Sequence, residues 1–229
     1  MALTPYYSEN GISIYHGDAM DILLQIDPVD LVLTDPPYGI GSRLVTGGKG
    51  GSFDMLINSG ADKWDKKPSQ DLFDELFFKS SHQCIWGGNF FSLPPCDKPL
   101  CWNKLRPNQK NLSEWEYAWT SLVGRAEMFT YCANGGFVAQ EPREHPTQKP
   151  LPLMHWCLSF FPNAMTILDP FMGSGPCLYL LKNDQPMQNR RACMAHPQSE
   201  ETKRMSALHA GICNSMIAAK RLAQEVLAL

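Results

Sequence analysis

No two cysteines in this chain stand at CxxC spacing. The eight present, at 84, 96, 101, 132, 157, 177, 193 and 213, are scattered. That pattern argues against a zinc site or a redox motif, and the expectation is reduced thiols with no bound metal. No apolar run approaches the length of a membrane span. The opening "MALTPYYSENG" has neither the basic nor the apolar region of a signal peptide. A cytoplasmic protein with no membrane contact is therefore expected. Charge excess is also small, with 20 basic against 23 acidic residues and a formal net charge of -3. A globally basic nucleic-acid binder is excluded, so any such binding must be local. Repeats and low-complexity tracts are missing as well. What the chain does have is core: 44% of its 229 residues are apolar, enough for one domain of the larger kind, expected to span 1–229.

Strand and helix patterns alternate along the chain. Alternating apolar residues in "GISIYHG" (11–17) predict a strand, and "DAMDILLQI" (18–26) predicts a helix N-capped by Asp18. "VDLVLTD" (29–35) reads as a second strand. Residues 39–67, rich in Gly, Ser and charge, have little periodicity and read as a long mobile loop. An amphipathic helix over 69–81 and a strand over 83–88 follow. "PLCWNK" (99–104), "EYAWTS" (116–121) and "AEMFTYC" (126–132) read as strands, "PLPLMHWCLSFF" (150–161) as a helix opening on prolines, and "AMTILDPF" (164–171) as a strand. This alternation predicts an α/β fold with a mostly parallel sheet and helices on both faces.

Three stretches carry chemistry. In "LVLTDPPYGIGS" (31–42) a buried strand ends in Asp35, two prolines that stiffen the turn, and Tyr38. An ordinary turn needs no carboxylate beside two prolines and a ring. In "TILDPFMGSGPCLYLL" (166–181) a buried strand ends in Asp169, and a glycine turn then opens onto an apolar segment. Strand, glycine turn and helix suit a nucleotide-like ligand, because glycine lets the backbone approach and a helix N-terminus offers free N–H groups. Alone, that turn is also an ordinary βα connection. In "REHPTQKPLPLM" (143–154) His145, Thr147 and Lys149 stand between prolines before a helix, and alone this reads as a proline-rich helix entry.

In this order, "TDPPYGIG", "HPTQKP" and "LDPFMGSG" resemble the amino-group DNA methyltransferases. That family uses S-adenosylmethionine (SAM) to methylate N6 of adenine or N4 of cytosine. The DPPY segment precedes the FxGxG segment, the permuted order of the β-class. "IYHGDAMDIL", "CIWGGNFF" (84–91) and "EYAWTS" also resemble segments of phage-type adenine enzymes, and the resemblance covers roughly residues 6–176. It implies a Rossmann-like methyltransferase fold with permuted motif order. It also implies double-stranded DNA as substrate, and is compatible with a homodimer and a restriction endonuclease partner. Asp rather than Ser before PPY favours adenine; N4-cytosine and a degraded, weakly catalytic DNA-binding relative are the alternatives.

The chemistry explains Asp35. A base's exocyclic amine is a poor nucleophile because its lone pair is delocalised into the ring. Accepting from its two N–H groups, by the Asp35 carboxylate and by the Pro36 carbonyl that Pro37 fixes in direction, draws the nitrogen towards sp³. Tyr38 offers a ring for a base that must leave the duplex to expose its amine. The resemblance implies that Asp35, Asp169, Pro170, Phe171, Gly173 and Gly175 line the SAM site. Asp18 would accept from its adenine amine, in competition with the N-cap role, and Thr147 and Lys149 would lie near its carboxylate. Phosphate contacts are expected from Arg43 in the 39–67 loop and from Lys104 and Arg106 in the acid-free stretch 98–111. A small target-recognition region is expected within about 92–142.

The segment 176–216 departs from the family. "GSGPCLYLL" stands where "GSGTT" is usual, and "RRACMAHPQSEE" puts His196 where relatives carry an acid that binds both ribose hydroxyls. A neutral imidazole is no bidentate acceptor, so weaker SAM binding is expected. "IAAKRLAQEVLAL" then resembles the family's last helix. Insertion or drift and compensated frameshifts both account for this pattern.

Overall fold

The computed structural model describes residues 3–40, 65–105, 113–132 and 149–173, together with the backbone of 191–196. All belong to one unit, residues 1–196. Its nine strands are β1 (Tyr7–Glu9), β2 (Ile12–His16), β3 (Val29–Thr34), β4 (Ser80–Trp86), β5 (Leu100–Asn103), β6 (Trp115–Thr120), β7 (Glu127–Thr130), β8 (Thr166–Asp169) and β9 (Arg191–His196). The described helices are α1 (Ala19–Leu23), α2 (Gln70–Lys79) and α3 (Leu151–Ser159), with a 3-10 turn at Gly88–Phe90.

The strands form one sheet in the order β1-β2-β9-β8-β3-β4-β6-β5-β7. The pairs β2–β9, β9–β8, β8–β3 and β3–β4 are parallel, whereas β6 runs antiparallel to β4 and β5. Only β1 and β6 among the described strands oppose the rest, so the mostly parallel sheet is observed. From β3 the chain moves one way to β4, and from β8 it moves the other way to β9. The sheet therefore changes direction between β3 and β8, and a crevice outside the carboxyl ends of two such strands is where α/β sheets bind ligands.

The β3 sequence explains its central place. Leu31, Val32 and Leu33 are all fully buried, as a strand covered on both faces requires. Because side chains alternate, Leu31 and Leu33 join Cys84, Trp86 and α3 residues Leu153, Met154, Cys157 and Leu158 in one core. Val32 and Ile85 join Leu23, Leu72, Phe73 and Leu76 of α1 and α2 in the other. Helices thus cover both faces.

Two boundaries differ from the sequence expectation. The helix expected over 18–26 is regular only over Ala19–Leu23, because Pro28 forces Asp27 towards extended backbone and the chain must already be leaving the helix. The helix expected over 69–81 ends at Lys79. Ser80 is extended (φ -138, ψ 143), donates its hydroxyl to Leu76 and starts β4 three residues early. Strand β1 was not expected, although Asn10-Gly11 is a strong hairpin signal. Asn10 at φ 51 and Gly11 at φ 79 turn the chain so that Glu9 pairs with Ile12.

At its amino end β3 is tied to β8 by Asp30. One carboxylate oxygen accepts from Met165 N (2.8 Å), Thr166 N (2.8 Å) and Thr166 Oγ1 (2.9 Å), and Asp30 N donates to Thr166 Oγ1 (2.8 Å). These bonds, Thr166 N–H first, hold the Asp30 carboxyl below its ordinary range. Asp30→Ala strips the acceptor from two backbone donors and should cost about 1–2 kcal/mol of stability, measured by urea denaturation at pH 7. The difference from wild type should shrink as pH falls below about 3.8, since a carboxyl with depressed native pKa stabilises only while ionised.

Candidate active site

Asp35 leaves the carboxyl end of β3, and Asp169 is the last residue of β8. Buried Thr34 joins the two ends by donating its hydroxyl to Asp169 Oδ1 (2.7 Å), an oxygen that also accepts from Phe171 N (3.1 Å). The Asp169 carboxylate therefore fixes the turn after β8 and ties it to the residue before Asp35. Pro170 is buried, Phe171 packs against the α1–α2 core, and Gly173 is exposed at φ +52. An exposed glycine in the left-handed region, at a strand end beside the switch point, leaves backbone open to a close ligand.

Tyr38 folds back onto Asp35, donating its hydroxyl to Oδ1 at 2.6 Å. Its ring stacks on Phe90 (4.7 Å between centroids, 11° between planes) and meets Phe91 edge-on. This packing depends on Gly87, which ends β4 at φ +68. A Cβ there would lie 2.1 Å from the Tyr38 ring. The "WGGNFF" segment is thus the wall on which Tyr38 rests.

The second Asp35 oxygen accepts from Lys149 Nζ at 2.5 Å. Lys149 is 5% exposed and also meets Glu116 Oε2 at 3.0 Å, while Glu116 Oε1 pairs with Lys104. Two partly buried carboxylates and two buried ammonium groups alternate in a row: Asp35, Lys149, Glu116, Lys104. The Lys149 charge also lies 5.6 Å above the Trp86 ring, whose buried N–H has no hydrogen-bond partner among the described residues.

The protonation states follow from this packing. Burial pushes the Asp35 carboxyl up, Lys149 pulls it back only in part, and the Glu116 charge adds to the rise. Burial alone would lower the Lys149 ammonium, but the Asp35 and Glu116 carboxylates outweigh it and hold it well above the ordinary lysine value. Against its own burial, Glu116 is drawn by Lys149 and then Lys104 down to about 2. Burial and the Asp35 charge hold the Tyr38 phenol well above 10. At neutral pH Lys149 is a cation and Glu116 is a carboxylate, while burial pushes Asp35 towards its protonated form and Lys149 holds it towards the ionised one. The Asp35 side chain keeps 24% of its surface exposed, so part of it stays open to a ligand.

The structure brings Asp35, Pro36, Pro37, Tyr38, Lys149, Asp169, Pro170, Phe171 and Gly173 to the carboxyl end of the sheet. Two of the expected lysines pair with carboxylates of the protein itself. Lys149 holds Asp35 and Glu116, because a buried ammonium goes to the nearest buried carboxylates. Lys104 is 7% exposed, bound to Glu116 and set over the Trp102 ring. A phosphate contact needs an exposed charge, so the expectation for Lys104 is corrected. Asp18 caps α1 through Met20 N (2.9 Å) and Asp21 N (3.4 Å). The backbone of His196 ends β9, opposite His16 of β2. Arg43, Arg106, Thr147 and Gly175 lie outside the described residues, as does most of the atypical 176–216 segment. No group of three or more metal-ligating side chains occurs among the described residues, and no described helix is long and apolar enough to cross a membrane.

Three residues were missed in the sequence. Glu116 carried a signal: in "WEYAWT" it shares strand parity with buried Ala118 and Thr120. Phe90 carried none beyond being aromatic. Asp65 is 9% exposed and accepts from Gly39 N (3.1 Å) and Ile40 N (2.6 Å), so it closes the base of the expected 39–67 loop. Residues 41–64 lie outside the described set.

No protein-family model matches the chain, and no curated protein matches it in sequence. Among solved structures, the crystal structure of the M1.HpyAVI–SAM complex is similar over 86% of this chain and 98% of that chain, at 21% identity and a TM-score of 0.52. The crystal structure of M1.HpyAVI, with 21% identity over 85% and 96% of the two chains, superposes at 0.46 and carries no weight. The first likeness agrees with the strand order above. The fold is the circularly permuted, Rossmann-like fold of SAM-dependent methyltransferases.

Gly87→Ala should cost about 1–3 kcal/mol in chemical denaturation, because a left-handed backbone and a collision with the Tyr38 ring add together. Lys149→Met should cost about 3–5 kcal/mol at pH 7, leaving Asp35 without a cation and Glu116 with Lys104 alone. The native pKa of Asp35 would then lie further above the unfolded one. The cost is full above that raised value and shrinks as pH falls through it. A deficit that grows on acidification would contradict the arrangement.

Proposed function

We propose that this chain is a DNA methyltransferase that moves a methyl group from SAM to N6 of an adenine turned out of the double helix. The observation that carries the reading is Asp35: a carboxyl group at the switch point, fixed through one oxygen by a buried lysine and through the other by Tyr38, yet partly exposed. Such a group can accept an N–H bond from a flat amine without reorganising, and preorganised acceptors of this kind lower barriers most. The buried Pro36 offers its carbonyl for the second N–H. The stacked Tyr38–Phe90 pair supplies an aromatic surface for the base.

SAM supplies an activated methyl group on a sulfonium centre. Supporting its fit are the exposed left-handed Gly173, the Asp169-fixed turn after β8, and the position of His196 at the end of the neighbouring β9. M1.HpyAVI, which shares the fold, is known in complex with SAM. On this reading Phe171 and Gly173 border the donor, and Asp35, one residue beyond Thr34, faces the amine. Transfer is direct, and the protein's contribution is positioning and electrostatics. DNA contacts beyond the target base fall to Arg43 and Arg106 rather than to buried Lys104. Adenine is preferred to cytosine because Asp, not Ser, precedes PPY.

Asp35→Ala should lower methyl transfer by on the order of 100-fold or more while leaving SAM affinity largely intact. Tritiated methyl incorporation into unmethylated DNA, beside calorimetry with SAM, measures both. Nucleoside analysis of the product should give N6-methyldeoxyadenosine. Near wild-type turnover in the variant would overturn the reading, and N4-methyldeoxycytidine would overturn its choice of base.

A further inference from the structure

We infer that Glu116 is a positioning residue for this reaction, acting through Lys149 to set how strongly Asp35 accepts the target amine. The inference rests on the reading of Asp35 as that acceptor. Among the described residues Lys149 Nζ has three oxygen neighbours: it donates to Asp35 Oδ2 at 2.5 Å and Tyr38 Oη at 3.4 Å, and pairs as an ion with Glu116 Oε2 at 3.0 Å, an oxygen with no hydrogen-bond partner there. Two carboxylates therefore share one ammonium, and what Glu116 takes, Asp35 loses. A carboxylate that owned the lysine outright would be a poor acceptor, its charge already neutralised. One with no lysine would be costly to bury and would protonate. Sharing leaves Asp35 ionised but with acceptor strength to spare.

Glu116 is itself set from behind. Its other oxygen is bound by Lys104, which limits its pull on Lys149. The row alternates in sign, so removing successive members should push Asp35 in opposite directions. Among the described residues, the charged or titratable groups facing Lys149 and Asp35 are Tyr38 from the loop after β3 and Glu116 from β6, with Lys104 from the end of β5 behind Glu116. Trp86 of β4 contributes a ring and no charge.

The experiment is a carboxyl NMR titration of full-length protein carrying ¹³C-labelled aspartate, with Asp35→Asn identifying the signal. Methyl transfer is measured beside it. In Glu116→Gln the Asp35 midpoint should move down, because Lys149 falls to it alone. In Lys104→Met it should move up, because Glu116 draws harder on Lys149. Turnover in Glu116→Gln should drop on the order of tenfold, below the loss from removing a direct contact. KM for DNA should stay near wild type, and Glu116→Asp should restore midpoint and turnover in part. Opposite shifts establish the electrical coupling, and the fall in turnover at unchanged KM, restored in part by Glu116→Asp, separates a positioning role from a merely structural one. Midpoints that stay fixed, or move together, overturn the inference, and Lys104→Met against wild type decides it if Glu116→Gln does not fold. An active wild type whose turnover ignores Glu116→Gln overturns the inference alone. A wild type that transfers no methyl group to DNA overturns the parent reading, and the midpoints still test the coupling.

Discussion

A lysine ammonium without water is the constraint around which this site is organised. Lys149 stands at the entry to α3, and stripping it of solvent is costly unless carboxylates replace the solvent. The sheet delivers them from two directions. Asp35 arrives at the carboxyl end of parallel β3. Glu116 arrives near the start of β6, and because β6 runs antiparallel its start lies beside the end of β4, where Trp86 pairs with Ala118. The reversed strand is what lets a residue early in β6 reach the same rim. Lys104, just past β5, closes the row. The strands β5 and β6 are therefore bound into the site electrostatically and not only by their hydrogen-bond ladder.

A second arrangement holds the two halves of the site in register. β3 and β8 are adjacent although more than a hundred residues separate them, and each end of the pair carries its own side-chain tie. Asp30 grips the start of β8, and Asp169 grips Thr34 at its end. With both ends fixed, the turn after β8 and the turn after β3 cannot slide past each other. Asp169 and Asp35, the acids that end these strands, thus have different work. The first is a buried acceptor of protein donors. The second keeps part of its surface open.

The parts of this structure legible in the sequence are those encoded locally. The run Leu31–Leu33 marked β3 as a buried strand through apolar content alone, and alternation marked β2. Asp35 and Tyr38 stood out because a carboxylate beside two prolines and a ring has no role in a plain turn. Pairings between distant residues were not legible. Nothing local to "HPTQKP" says that Lys149 meets Asp35, and nothing local to "CWNK" says that Lys104 is buried. Lys104 looked like a surface charge and Lys149 like a ligand's counter-charge, because a side chain's charge is visible in a sequence and its solvation is not. The early stop of α1 was readable from Pro28, as was the hairpin at Asn10-Gly11.

Asp65 has a consequence for how this protein can vary. By accepting from Gly39 and Ile40, it brings the two ends of the intervening chain side by side. Once the ends are joined, the entropy of closing a loop grows only with the logarithm of its length, by about 0.6 kcal/mol per doubling. A change in the number of residues between 40 and 65 should therefore reach the turn that carries Asp35 and Tyr38 only weakly. One carboxylate holds that turn's shape apart from the length of the chain that leaves it.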